Sequence, residues 1–121
     1  MTIETSKRNF SVCKVKEIKP SDLSAEFCFT GKTDEELSLV CLTENAPEDT
    51  LEREDGWRAF RIKGVLDFSL VGVLSPIAGL LAENNIGIFT VSTYNTDYIL
   101  VKKENYEKAL TLLKNNGYTV I

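Results

Sequence analysis

The order of the predicted elements indicates an α+β domain in residues 56–121, with one antiparallel sheet that carries two helices on a single face. Two segments have the 3.6-residue apolar periodicity of helices, and the segments around them have the alternation or β-branched composition of strands. From Val65 onward the predicted order is strand, helix, strand, strand, helix, strand. This order is typical of a split β-α-β fold with a four-stranded sheet.

The first predicted helix begins at Ser75 and ends near Asn84. Ser75 can cap free amides with its hydroxyl, and Pro76 stands where a missing N–H costs nothing. A capped helix N-terminus beside the turn at Gly72 presents free amides and a partial positive charge, so it is a candidate site for a carboxylate or a phosphate. A purely structural cap is the alternative. The side chains predicted on one side of this helix are Ile77, Leu80, Leu81 and Asn84.

The other elements of this half are predicted from shorter patterns. The segment Glu104–Asn116 predicts an amphipathic helix. Its core side is formed by Tyr106, Ala109, Leu110 and Leu113. Strands are expected at Gly56–Gly64, Val65–Val73, Ile86–Ser92, Asp97–Lys102 and Tyr118–Ile121, and the loop Thr93–Thr96 makes a hairpin of the third and fourth.

Residues 1–55 are predicted to form a smaller β-rich unit that ends in an acidic linker. Residues 1–9 are polar and are expected to be frayed. The linker is Glu44–Asp55, whose six acidic residues and one proline are typical of a solvated connection. Strands are expected at Phe10–Ile18, Ala25–Thr30 and Leu37–Thr43. The predicted domain division is therefore 1–55 and 56–121.

The composition excludes several classes of function. A net charge of −4 and a pI near 4.9 leave no basic surface for phosphate backbones, so nucleic acid is not an expected partner. No apolar run reaches the roughly 18 residues of a membrane span, so no membrane partner is expected and the predicted location is cytoplasmic.

The chain has no histidine, which removes the usual general base and the commonest metal ligand. Cys13, Cys28 and Cys41 each lie in an apolar, strand-like run, so they are interpreted as buried hydrophobic residues rather than as a disulfide or a zinc site. No catalytic residue, no metal ligand and no cofactor is predicted. An enzyme is therefore the less favoured class of function.

A series of features in residues 56–121 resembles the ACT domain of small, stand-alone bacterial proteins. Similar domains occur in the CASTOR arginine sensors and in the regulatory regions of aspartate kinases. The features are Trp57, Gly64, Phe68, the turn Gly72–Pro76, Leu81-Ala82, Ser92-Thr93-Tyr94, Thr96-Asp97-Tyr98 and Leu100-Val101. The resemblance implies a complete ferredoxin-like βαββαβ ACT unit over 56–121 and a reduced ACT-like unit in the N-terminal half.

The resemblance also implies a ligand site, because the family binds small molecules where the strand–helix turn of one unit meets a neighbouring unit. Asp97 would face the basic end of the ligand, although it also suits the start of a strand. Asp67 has a similar claim on the ligand ammonium, with a surface strand position as the alternative. The candidate ligand-binding residues are Val73, Leu74, Ser75 and Ile77 through their backbone, the loop residues Ser92, Thr93 and Tyr94, and the two aspartates.

The expected function is non-enzymatic. We expect a regulatory module that binds an amino acid or a related carboxylate at a subunit or domain interface, and that works as a homodimer because exposed sheet edges favour pairing. The alternative is an assembly module with a vestigial site and no ligand. The two differ in whether any amino acid changes the stability of the protein.

Overall fold

The computed structural model describes residues 1–64 and 72–121 of the 121-residue chain. The strands are β1 (Thr2–Lys14), β2 (Phe29–Lys32), β3 (Leu37–Leu42), β4 (Glu52–Ile62), β5 (Ile88–Ser92), β6 (Asp97–Lys102) and β7 (Thr119–Val120). The helices are α1 (Pro20–Leu23), α2 (Leu74–Glu83) and α3 (Tyr106–Asn115), with short 3₁₀ turns at Thr43–Asn45 and Lys103–Asn105. The chain divides into a larger unit, residues 1–7 with 58–121, and a smaller unit, residues 8–57.

The larger unit confirms the predicted α+β arrangement. From β4 onward, its described elements follow the order β4, α2, β5, β6, α3, β7, which is the β-α-β-β-α-β order of the ferredoxin-like ACT fold. The strands lie in the spatial order β7-β1-β4-β6-β5. The predicted hairpin is confirmed, because β5 and β6 pair antiparallel with Ile88 opposite Val101 and Ser92 opposite Asp97.

The core of the larger unit lies between its sheet and both helices. All four residues predicted on the core side of α3 are buried, and Ile77 and Leu81 of α2 are fully buried beside them. The sheet contributes Ile3, Phe60, Ile62, Ile99 and Val101 to the same cluster. Burial of each large apolar side chain contributes about 1.5–3 kcal/mol, so this cluster fixes both helices on one face of the sheet.

The N-terminal residues are a strand, and the prediction that residues 1–9 are frayed is wrong. Ile3 is fully buried, the amide of Ile121 donates to its carbonyl at 2.9 Å, and the amide of Lys63 donates to the carbonyl of Thr2 at 2.9 Å. β1 therefore lies between β4 and β7, and five described strands contribute to the sheet of the larger unit, where the sequence predicted four. A single strongly apolar residue gives no periodicity, so pairing with distant strands decides this segment.

The smaller unit has a reduced version of the same order. Its strands lie in the order β2-β3-β1-β4, and the 3₁₀ turn Thr43–Asn45 stands where a second helix would be. The strand predicted at Ala25–Thr30 is shifted to Phe29–Lys32. The reason is Phe27, whose φ of 56° lies outside the β region and whose ring instead makes an edge-on contact with Phe10 at 5.9 Å.

The acidic segment is only partly a linker. β4 already begins at Glu52, and the amide of Leu51 donates to the carbonyl of Lys14 at 2.8 Å. Arg53 and Asp55 form an ion pair at 2.8 Å on this strand. The start of β4 was not predicted because its charged side chains do not give the apolar alternation of a strand. The strand forms nevertheless, because pairing with β1 requires only backbone groups.

The cysteines are packing residues, as predicted. Cys13 and Cys41 are buried with Val15 and Leu39, Cys28 packs against the same cluster, and all three thiols are free. Burial raises the pKa of Cys41 to about 12, so this thiol is protonated at neutral pH.

The strand predicted at Val65–Val73 falls largely on residues 65–71, which lie outside the described residues. The candidate ligand residue Asp67 lies there as well.

Candidate functional site

The start of α2 differs from the predicted one. The helix begins at Leu74 with Val73 as its N-cap, and the side chain of Val73 has no atom that could accept a hydrogen bond. Ser75 is therefore the second helical residue, and the prediction that it caps the helix is wrong. Gly72, with φ of 74°, turns the chain so that the helix begins earlier than the Ser-Pro pair indicates.

The first turn of α2 presents backbone amides without helical partners. With Val73 at the N-cap, the amides of Val73, Leu74 and Ser75 have no carbonyl four residues before them inside the helix, whereas the amide of Ile77 can reach the carbonyl of Val73. Pro76 lacks an N–H. No acidic residue lies in this turn to offset the partial positive charge of the helix end. The local chemistry therefore favours an anion.

Ser92 and Asp97 face each other at the base of the β5–β6 turn. The hydroxyl of Ser92 donates to Oδ1 of Asp97 at 2.5 Å. Asp97 is also the first residue of β6, so its role as a strand start is confirmed. It lies two and four residues before Ile99 and Val101, which belong to the helix-side core, so Asp97 lies on the helix side of the sheet.

The turn itself is held by threonine hydroxyls. Thr93 donates from its hydroxyl to the carbonyl of Thr96 at 3.0 Å, and its amide donates to the same carbonyl at 2.9 Å. Thr96 is buried, and its hydroxyl donates to the carbonyl of Ile62 at 2.8 Å. This bond ties the turn to the end of β4. Tyr94 lies at the tip, with 79% of its surface exposed.

Chain direction places the two parts of the candidate site at the same end of the larger unit. β4 ends at Ile62 beside the β5–β6 turn. α2 returns along the sheet, and only residues 84–87 separate its last residue from the start of β5. Since β5 ends in the turn, the first residues of α2 and the Ser92–Asp97 pair share one end of the sheet. Asp67 lies outside the described residues, so the structure does not place it relative to this end.

Sequence reasoning missed a polar cluster on the other face of the sheet. Nε of Arg61 donates to Oε1 of Glu4 at 2.6 Å, and Nη1 donates to the hydroxyl of Tyr98 at 2.7 Å. These hydrogen bonds raise the pKa of Arg61. In the sequence, Arg61 lies between Phe60 and Ile62, whose side chains are buried in the core. This alternation was the available signal that the side chain of Arg61 lies on the other face of the sheet. Its partners lie too far along the chain to be predicted.

A second missed cluster surrounds Tyr106. The guanidinium carbon of Arg58 lies 3.8 Å from the centre of the Tyr106 ring, and Nη2 of Arg58 donates to the carbonyl of Ser6 at 2.7 Å. The hydroxyl of Tyr106 donates to the carbonyl of Ala59 at 2.8 Å and accepts from the amide of Ser6 at 3.1 Å. Burial raises the pKa of Tyr106, so the hydroxyl is neutral and links the backbones of β1 and β4.

One serine lies against a carboxylate in the smaller unit. The hydroxyl of Ser11 donates to Oδ1 of Asp55 at 2.5 Å and lies 2.9 Å from the hydroxyl of Thr43. Ser11 is completely buried, so no substrate reaches its oxygen, and the arrangement is structural. Across residues 1–64 and 72–121, no three Cys, Asp or Glu side chains are grouped so that they could hold a metal ion. In the same ranges, no helix has the length and apolar character needed to cross a bilayer.

Comparisons with known proteins agree with this fold. A family model described as ACT domain matches residues 52–115, more than half of the chain. The structure of a protein from Agobacterium tumefaciens is 30% identical, with a TM-score of 0.87, and the match covers 99% of this chain and 91% of that one. A Vibrio cholerae protein of unknown function, described as a possible transport protein, is 27% identical with a TM-score of 0.77 over 93% and 86% of the two chains.

A more distant neighbour shows the fold alone. The regulatory subunit of aspartate kinase from Thermus thermophilus is 11% identical, with a TM-score of 0.64 over 95% of this chain and 96% of that one. No curated protein matches the chain. The β-α-β-β-α-β order of the larger unit and the matched residues together lead to one conclusion: the chain belongs to the ACT domain family.

Proposed function

We propose that this protein is a non-catalytic regulatory module that binds an amino acid or a related small carboxylate at a subunit interface, as a homodimer. Membership of the ACT family supports a regulatory ligand-binding module in general. The observation that carries the proposal is the uncapped start of α2 at the same end of the sheet as Asp97. The two features have opposite charge character, as the two ends of an amino acid do.

The backbone amides of Val73, Leu74 and Ser75 bind the ligand carboxylate in this proposal. Helix N-termini bind anions because free N–H groups and the helix dipole act together. Ile77 acts differently from the other three, because its fully buried side chain anchors the helix in the core.

Asp97 binds the ammonium or basic side chain of the ligand. Ser92 occupies Oδ1 and holds the carboxylate in place, and Oδ2 is the oxygen offered to the ligand. Thr93 and Tyr94 form the adjacent wall, and Asp67 is retained as a second acidic partner. A ligand at this site regulates only if it binds one arrangement of the subunits better than another.

A thermal-shift screen against the twenty amino acids and common metabolic carboxylates tests the proposal. A ligand at about 100 times its dissociation constant stabilises the folded state by roughly 2.7 kcal/mol. For a domain of this size the midpoint then rises by on the order of ten degrees. The variant Asp97→Asn keeps the size and one acceptor oxygen of the side chain but removes its charge. We expect this variant to lose most of the shift.

The matched control is Glu104→Gln, which removes an exposed charge beyond the other end of β6. Its shift should equal that of the unmodified chain. An equal shift in Asp97→Asn would place the ligand elsewhere.

An assembly module with a vestigial site is the second candidate. The hydrogen bond from Ser92 favours it, because a carboxylate that already has an internal donor needs no ligand to be satisfied. A chain whose midpoint none of the compounds moves would be assigned to this second function.

A further inference from the structure

A polar row crosses three neighbouring strands of the larger unit, on the face of the sheet away from the helices. Its members are Glu4 on β1, Arg61 on β4 and Tyr98 on β6. Each is the immediate neighbour of a residue in the helix-side core, and successive residues of a strand point to opposite faces. β4 lies between β1 and β6, so Arg61 is the central member of the row.

Hydrogen bonds from both sides hold the guanidinium of Arg61 in one orientation. Its Nε donates to Oε1 of Glu4 at 2.6 Å, and its Nη1 donates to the hydroxyl of Tyr98 at 2.7 Å. Because these partners lie on two different strands, the guanidinium is oriented before any ligand arrives, which lowers the entropy cost of binding. A partly exposed ion pair contributes little to folding stability, so the fold itself does not require this arrangement.

Within residues 1–64 and 72–121, the polar row uses only part of its hydrogen-bonding capacity. A guanidinium carries five N–H groups, and Arg61 donates two of them to described residues. Its Nη2 donates to none of these residues, and Oε2 of Glu4 accepts from none. The side chains of Arg61 and Glu4 are 40% and 33% exposed, so both groups meet solvent.

The open donor and the open acceptor are neighbours. Nη2 shares one edge of the guanidinium with Nε, and Nε already bonds the carboxylate of Glu4. The charges of Arg61 and Glu4 cancel, so the pair has no net charge with which to attract an ion. A ligand that replaces solvent here presents an acceptor beside a donor, and an uncharged ligand avoids the cost of desolvating an ion.

The surroundings of the polar row favour a flat ligand. The guanidinium is planar, so a group that accepts from Nη2 lies near its plane. Val91 lies opposite Tyr98 on β5 and shares its face of the sheet, so apolar surface borders the polar groups. Both of these side chains are partly exposed. A planar ring with one polar edge matches this combination.

We propose that Arg61 and Glu4 bind the amide edge of a planar, uncharged heterocycle, such as a uracil-type or guanine-type base. The ring carbonyl accepts from Nη2 of Arg61, and the adjacent ring N–H donates to Oε2 of Glu4. The ligand is a free base or nucleoside, because a chain with a net charge of −4 disfavours a phosphate backbone. The site is independent of the proposed function, since Asp97 lies on the helix side of the sheet.

A titration with uracil tests this site. The Nε–H group of Arg61 gives its own signal in a nitrogen–proton correlation spectrum, and we expect a saturable change in that signal. The matched probe is dimethyluracil, in which both ring nitrogens are methylated, so it keeps the carbonyls but has no N–H for Glu4. Its dissociation constant should be at least roughly tenfold higher, because a hydrogen bond to a charged group is lost.

Two variants examine the roles of the two charged residues. Arg61→Lys keeps the positive charge but loses Nη2, so we expect uracil to bind at least roughly tenfold more weakly, as followed by the backbone signals of Glu4 and Tyr98. Glu4→Gln removes the charge that balances Arg61, so it should weaken uracil binding and strengthen the binding of acetate. The control is Arg8→Lys, the same change in another surface ion pair, which should alter neither.

Several outcomes would overturn the site. They are an Arg61 signal that uracil leaves unchanged, an equal response to dimethyluracil, an equal loss of uracil binding in Arg8→Lys, and a larger response to L-alanine than to uracil, which would assign the paired charges to a zwitterion. Asp97→Asn should leave the uracil titration unchanged. A uracil response in a chain whose midpoint no amino acid moves would support this site and reject the proposed function alone.

Discussion

The buried hydroxyl of Ser11 holds the carboxylate of Asp55, which also accepts a hydrogen bond from Arg53 at 2.8 Å. The Arg53 bond, and after it the Ser11 bond, lower the pKa of Asp55 below its ordinary value of 3.8. A lowered pKa means that the folded state binds the proton less well than the unfolded state. Asp55 therefore stabilises the fold above about pH 3.8, and this contribution is lost as the pH falls below that value.

We expect Asp55→Asn to lower the free energy of unfolding at pH 7 and to change it much less at pH 3. The reason is that Asn cannot form the charged pair with Arg53, whereas the contribution of the charged carboxyl in the unmodified chain declines as the pH falls below the ordinary pKa of 3.8. Urea unfolding at the two pH values measures the difference. Asp49→Asn is the control, because its ion pair with Lys19 is exposed and contributes little. Equal losses at both pH values would show that Asp55 acts through geometry and not through its charge.

Single residues also show how far the sequence could predict the structure. The helical periodicity placed Tyr106 on the core side of its helix, and this is confirmed. The partners of its hydroxyl lie 47 and 100 positions away in the chain, at Ala59 and Ser6. Periodicity reports only which face a residue occupies, so it carries no information on such distant partners.

At the scale of elements, predictions succeeded where local signals were sufficient. Both long helices have their predicted core faces, and their ends are marked by left-handed residues, Asn85 with φ of 59° and Gly117 with φ of 94°. The β5–β6 hairpin is confirmed because its strands are adjacent in sequence. The first residues of β1 and the start of β4 were missed because each is stabilised by a strand far along the chain.

The corrected start of α2 gives a prediction about Ser75. Because Ser75 is the second residue of the helix and makes no capping bond, we expect Ser75→Ala to change the free energy of unfolding by less than about 0.5 kcal/mol. Loss of a true cap costs about 1 kcal/mol. Guanidinium unfolding measures the change. Leu81→Ala, at a fully buried position of the same helix, should cost about 2–5 kcal/mol and shows that the assay detects losses in α2.

A loss near 1 kcal/mol in Ser75→Ala would restore Ser75 as the helix cap. The amides proposed for the ligand carboxylate would then be those of residues further along the helix.

At the scale of the whole molecule, the two longest strands contribute to both units. β1 provides residues 2–7 to the larger unit and residues 8–14 to the smaller one, and β4 is divided between them after Trp57. The division into 1–55 and 56–121 remains a proposal about independent folding. This boundary was predicted at the end of the acidic segment, because a run of charged residues indicates exposure to solvent. Composition does not indicate which strands pair.

Expression of residues 56–121 alone tests this division. The fragment lacks β1, and with it the buried side chain of Ile3 and the backbone partners of Lys63 and Ile121. We expect its circular dichroism to show no cooperative thermal transition, or one at least ten degrees below that of the full chain. Ile3→Ala in the full chain is the matched variant and should cost about 2–5 kcal/mol. A fragment as stable as the full chain would establish 56–121 as an independent domain.

The position of β1 between β4 and β7 determines the order in which strands can pair while the chain is being synthesised. Thr2 and Ile3 leave the ribosome more than a hundred residues before their parallel partners, Thr119 and Val120. The smaller unit consists of the contiguous residues 8–57, so its strands can pair as soon as this segment has emerged. The larger unit cannot complete its sheet until β7 is available to pair with β1. The edge of β1 that pairs with β7 therefore stays open until Thr119 and Val120 have been made, and an open edge can mispair with another strand.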